Sequence, residues 1–115
     1  MPRRLMAMHH EPFPHPDPRP GITGAAVLPL DQLPDRKRVR AAFEAARANA
    51  QVFDSVYCVC ECAHAMDHRS LLACFESSQP VGCWACQEQA QAVEEWLKEG
   101  KSLAAIRAAV DKQWG

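Results

Sequence analysis

The chain has 115 residues, 13 basic and 14 acidic, giving a formal net charge of −1. That length supports one domain at most, and the balanced charge excludes a nucleic-acid surface, which needs a clustered basic footprint. No apolar run approaches the ~18 residues of a membrane-spanning helix, so no membrane span is expected.

Eight of the nine prolines fall within residues 1–34. The alternation Pro12, Pro14, Pro16, Pro18 and Pro20 predicts a disordered, polyproline-like N-terminal tail without a core. His9, His10 and His15 lie in that tail and read as incidental histidines rather than metal ligands. Arg3-Arg4 resembles the start of a secretory leader, but His9-His10-Glu11-Pro12 stands where the apolar stretch should be, so no signal peptide is expected in this chain.

Residues 35–115 are expected to form the folded, Cys-rich helical domain. The first helix is predicted from Asp35, after Pro34, to about Gln51: Val39, Ala42, Phe43, Ala46 and Ala50 recur at three- and four-residue steps. Arg36, Lys37, Arg38 and Arg40 read as its solvated face. Phe53 and Val56 lead into a loop or short extended stretch carrying Cys58, Cys60 and Cys62. A short second helix is predicted with Asp67 as N-cap, carrying Leu71, Leu72, Cys74 and Phe75. Pro80 and Gly82 break the chain, and a third helix runs from Cys83 to Glu99 with Cys86, Ala90, Val93 and Leu97 as its buried stripe. Gly100 is the stop, Ser102 a new N-cap, and Leu103, Ile106, Val110 and Trp114 the inner face of the last helix. The expected fold is all-α, a small bundle of about four helices.

All six cysteines lie between residues 58 and 86. Alternate residues of an extended backbone point to one face, so Cys58, Cys60 and Cys62 present three thiols to one partner. Bridges within such a run would be strained, which favours chelation over internal disulfides. Cys83 and Cys86 sit three apart at a helix start, where free N–H groups stabilise thiolates. Haem attachment is excluded because Gln87, not histidine, follows Cys86. The spacings match neither ferredoxin pattern, which disfavours an iron–sulfur cluster. Thiolates of Cys58, Cys60, Cys62, Cys83 and Cys86, with Cys74 and His68 as supplementary ligands, therefore point to a soft metal, Cu(I) or Zn²⁺. His64 is a further candidate. Two alternatives stay open: a redox dithiol at Cys83 and Cys86, and a disulfide framework pairing each of Cys58, Cys60 and Cys62 with Cys74, Cys83 or Cys86.

No nucleophile elbow and no glycine-rich phosphate loop occurs, so the expected role is non-enzymatic: metal storage, delivery or sensing. A metal ion is the expected partner.

Tyr57-Cys58-Val59-Cys60-Glu61-Cys62, His68-Arg69-Ser70 through Cys74-Phe75, Cys83-Trp84-Ala85-Cys86, and Gly100-Lys101-Ser102-Leu103 with Ile106-Arg107 occur in that order. Together they resemble the bacterial PCYCGC-motif (lipo)proteins over about Val39 to Trp114. Tyr57, Val59 and Glu61 replace the proline, tyrosine and glycine of the motif, and the stretch before Cys83 lacks a histidine found in many members. The resemblance implies an extracytoplasmic, often lipid-anchored setting. It also groups His68 and Cys74 with the other five cysteines, without supplying a biochemical role.

Overall fold

A computed structural model describes residues 15–59 and 68–114. Among these residues the secondary structure is helical and no strand occurs, as expected. The elements used below are α1 (Lys37–Ala48), α2 (Ala50–Phe53), α3 (Leu71–Phe75), α4 (Trp84–Lys98) and α5 (Leu103–Trp114), with short 3-10 turns at Gly24–Ala26, Leu30–Gln32 and Gln79–Gly82.

The pair α1 and α4 forms the spine of the molecule. Alanines dominate the buried face of α1, where Val39, Ala42, Phe43, Ala45 and Ala46 point inward. Small side chains let the two helix backbones approach closely. The expected first helix appears as two pieces because the chain bends at Asn49 (φ −126°, ψ 40°). There the Asn49 amide donates to the Ala45 carbonyl at 2.9 Å, a local bond that competes with continued helix.

Helix α3 is buried at Leu71, Leu72, Cys74 and Phe75, so it is a core helix rather than an amphipathic surface one. Its N-cap is Ser70, whose hydroxyl accepts from the Ala73 N–H at 3.1 Å. The expected cap, Asp67, lies outside the described residues. Phe75 meets Phe43 and Phe53 edge to face, at 4.8 and 6.2 Å between ring centroids. Such contacts add roughly 1 kcal/mol each to the burial of the rings.

Helix α4 follows the predicted bounds closely, with Cys83 as N-cap and Gly100 (φ 84°) just beyond its end. A left-handed residue there terminates the helix, and glycine adopts that conformation without strain. Ser102 then caps α5, accepting from the Ala105 N–H at 3.1 Å. Ile106 and Val110 are fully buried, and Trp114 packs on Trp96 at 6.3 Å.

Residues 15–34 depart from the expectation of a coreless tail. They form a strap across the helices, with Val27 and Leu33 in the core and Ile22, Leu28 and Leu30 packed against it. Three strap carbonyls, those of Gly24, Val27 and Leu28, accept from the Arg47 guanidinium on α1. The Leu28 N–H donates to the Phe75 carbonyl at 3.3 Å. Proline content misled the reading: prolines fix φ and so lower the entropy lost on ordering, and the apolar residues between them supply the anchors. The folded body thus includes residues ahead of position 35.

Gly24 marks where the strap comes nearest to α1. A Cβ there would lie 2.5 Å from the Arg47 carbonyl oxygen and 2.7 Å from its Cα. Gly24→Ala is therefore expected to destabilise the fold by about 1–3 kcal/mol, since backbone must move. Urea denaturation checks this: the midpoint should fall with little change in slope.

Candidate metal centre

Three cysteines from separate stretches of chain meet in the interior. Cys58 follows α2 on an irregular segment, Cys74 lies near the end of α3, and Cys86 sits in the first turn of α4. Their sulfurs all lie within 4.8 Å of one another, and Cys58 Sγ is 3.5 Å from Cys86 Sγ. All are buried, at 1%, 0% and 0% exposure. Tetrahedral metal–sulfur bonds of ~2.3 Å imply sulfur–sulfur edges of roughly 3.8 Å, so the cluster already has the dimensions of a thiolate site. No disulfide joins the described cysteines to one another.

Local structure explains the convergence. Ser70 starts α3 so that Cys74, four residues on, is carried to its buried face. The Leu71 N–H donates to the Val56 carbonyl at 2.9 Å, tying the start of α3 to the segment entering Cys58. Cys83 Sγ accepts from the Cys86 N–H at 3.3 Å, an N-cap made by sulfur. Cys83 is only half-buried, at the edge of the group.

Other polar groups surround the sulfurs. His68 Nδ1 lies 3.2 Å from Cys74 Sγ. Cys86 Sγ faces the Gln79 side-chain oxygen at 4.0 Å. The Cys86 thiol is pushed strongly upward in pKa, first by its contact with Cys58, then by Cys74, burial and Cys83. Crowded, dry sulfurs resist carrying negative charge together, and a bound cation reverses that balance.

Of the sequence-derived ligands, the structure brings Cys58 and Cys86 together. It also moves Cys74 from a supplementary place to the centre and sets His68 against it. Cys83 Sγ caps the start of α4 and is not one of the three sulfurs that lie within 4.8 Å of one another. Cys60, Cys62 and His64 lie outside the described residues, as do His9 and His10. His15 has structural partners: its Nδ1 accepts from the Tyr57 N–H, its Nε2 meets Asp111 at 2.9 Å, and its ring stacks on Tyr57.

Two residues of consequence escaped the sequence reading. Asp54 is fully buried and accepts from Arg19, Arg69 and Ser70. Gln89, also fully buried, bonds to the main chain at Tyr57 and Val59. A polar residue within the apolar stripe of α4 was the available signal for Gln89. Asp54 carried none in isolation.

No curated protein and no solved structure gives a significant match to the chain. A family model does, and it extends beyond the four cysteine-bearing and helix-junction blocks to take in the strap. The chain belongs to the family described as "protein of unknown function with PCYCGC motif", whose model matches residues 9–115.

Proposed function

We propose that this protein binds a soft metal ion, Cu(I) or Zn²⁺, through thiolates, and serves metal storage, delivery or sensing. The observation carrying this reading is the convergence of Cys58, Cys74 and Cys86 within 4.8 Å in a buried setting. Thiolate-rich sites select Cu(I) and Zn²⁺ over hard cations. Cys83 at the edge, His68 beside Cys74, and the alternating Cys60 and Cys62 supply further donors to complete coordination. With the thiols protonated beforehand, uptake releases protons, and binding free energy adds to folding free energy. The family resemblance favours an extracytoplasmic setting.

Anaerobic purification followed by elemental analysis tests this reading. Stoichiometric copper or zinc is expected, restored by reconstitution after removal. Absence of metal together with failure to reconstitute would sink it.

A second reading, thiol–disulfide exchange, is favoured by the 3.5 Å separation of Cys58 and Cys86. In such exchange a partner's disulfide takes up the two electrons and two protons released as a Cys58–Cys86 bond of about 2.05 Å closes, which needs only a small shift. Thiol counting with and without mild reductant separates the two: a redox protein gains thiols on reduction, whereas a metal protein releases metal on denaturation without change in thiol number.

A further inference from the structure

We propose that Gln89 is the positioning residue of the thiol cluster, fixing Cys58 beside Cys86 before any metal arrives. This inference rests on the metal-binding reading for its function but on separate geometry for its placement. The Gln89 side-chain oxygen accepts from the Val59 N–H at 3.0 Å, and its nitrogen donates to the Tyr57 carbonyl at 2.8 Å. The amide therefore grips the main chain on both sides of Cys58, as a neighbouring strand would.

Gln89 is 0% exposed, and its neighbours on the α4 stripe are apolar. A buried amide is unfavourable unless satisfied, so an apolar residue would be the simpler choice for packing alone. What the amide adds is direction. Cys86 and Gln89 stand three apart on one helix, hence on one face. One supplies a sulfur; the other holds the segment bearing the second sulfur. Cys58 cannot move away from Cys86 without breaking a hydrogen bond to the same helix. The resulting stripe reads Cys83, Cys86, Gln89 in steps of three.

Groups that orient ligands without touching the metal typically change affinity 10- to 100-fold when replaced. The test uses the full chain with Gln89→Met, close in shape but unable to form either bond, and Gln89→Glu, which keeps the acceptor for Val59 and, when ionised, loses the donor to Tyr57. Zn²⁺ affinity by chelator competition, the visible spectrum of the Co²⁺-loaded protein, and alkylation rates of the metal-free thiols are measured. For Q89M we expect 10- to 100-fold weaker Zn²⁺ binding, an altered Co²⁺ spectrum, and Cys58 alkylation raised about tenfold relative to Cys74. Q89E, which when ionised sets a carboxylate oxygen against the Tyr57 carbonyl, should change all three readouts in the same direction as Q89M. If Q89M fails to fold, Q89E carries the same three readouts.

Unchanged affinity, spectrum and Cys58 reactivity would overturn the inference, whatever the effect on melting temperature. A native chain that takes up neither ion, yet shows selective Cys58 exposure in Q89M, would end the metal reading while upholding the positioning role.

Discussion

Asp54→Ala is expected to destabilise the protein by about 3 kcal/mol, the low end of the range for breaking a buried ion pair. Asp54 is fully buried, while Arg19 and Arg69 keep about a third of their side-chain surface in solvent, at 37% and 36%. The arginines left behind can therefore rehydrate, which moderates the loss. Arg19 donates to the carboxylate from its main-chain N–H at 2.7 Å and from its side chain at 3.1 and 3.0 Å. Arg69 approaches to 2.6 Å, and the Ser70 hydroxyl donates at 2.6 Å. The same Arg19 guanidinium also reaches Glu76 at 3.2 Å. One carboxylate thus joins the strap, the end of α2 and the cap of α3.

The position of Asp54 links stability to the site. It lies four residues before Cys58, and its partner Ser70 four before Cys74. Loss of the carboxylate should loosen both approaches to the cluster, so weaker metal binding is expected to accompany the lower denaturation midpoint.

A pH dependence follows. Burial alone pushes the Asp54 carboxyl up, but the Arg19 hydrogen bonds, the Ser70 hydroxyl and the Arg19 charge together hold it below its ordinary value. The unfolded chain then binds a proton more readily than the folded one. The stabilisation is complete above the unfolded carboxylate pKa of about 3.9, and is lost as pH falls through the lower folded value. Acid titration of the native chain should therefore show a loss below about pH 4 that is diminished in Asp54→Asn.

Cys86→Ala carries the second large effect, on metal affinity rather than folding. Zinc held by a full structural ligand set is worth about 10–16 kcal/mol, so losing one thiolate should cost on the order of 3 kcal/mol, or roughly 100-fold. Cys86 is the sulfur that approaches Cys58 at 3.5 Å, and its N–H binds Cys83 Sγ, so it links the other donors. In the metal-free state, removing one small buried sulfur is expected to cost only about 1–2 kcal/mol. Competition titration against a chromophoric chelator, with thermal melts of apo and loaded protein, separates the effects. The native chain should gain about 4 kcal/mol with free metal at 1,000 times Kd, and Cys86→Ala much less at that concentration.

Much of the helical frame was legible because its signals are local. Alanine and apolar periodicity marked α1, Gly100 and Ser102 marked the junction of α4 and α5, and Cys83 marked the start of α4. The strap was misread because burial of Val27 and Leu33 depends on surfaces made by distant residues, whereas proline is visible at once. The nearness of Cys58 to Cys86 was legible from spacing, with Cys74 and His68 expected only as supplementary ligands, and the resemblance strengthened that grouping. The central place of Cys74 was not, since a cysteine between Leu72 and Phe75 reads equally as core. Gln89 and Asp54 act through bonds to residues 30 or more and 15 or more positions away, respectively, which no local pattern encodes.

X-ray absorption at the metal edge of zinc-loaded protein tests the central claim most directly. The account predicts a first shell dominated by sulfur at about 2.3 Å, with sulfur scattering reduced in Cys58→Ala, Cys74→Ala and Cys86→Ala. A shell of oxygen and nitrogen at about 2.0–2.1 Å, unchanged by those substitutions, would contradict it.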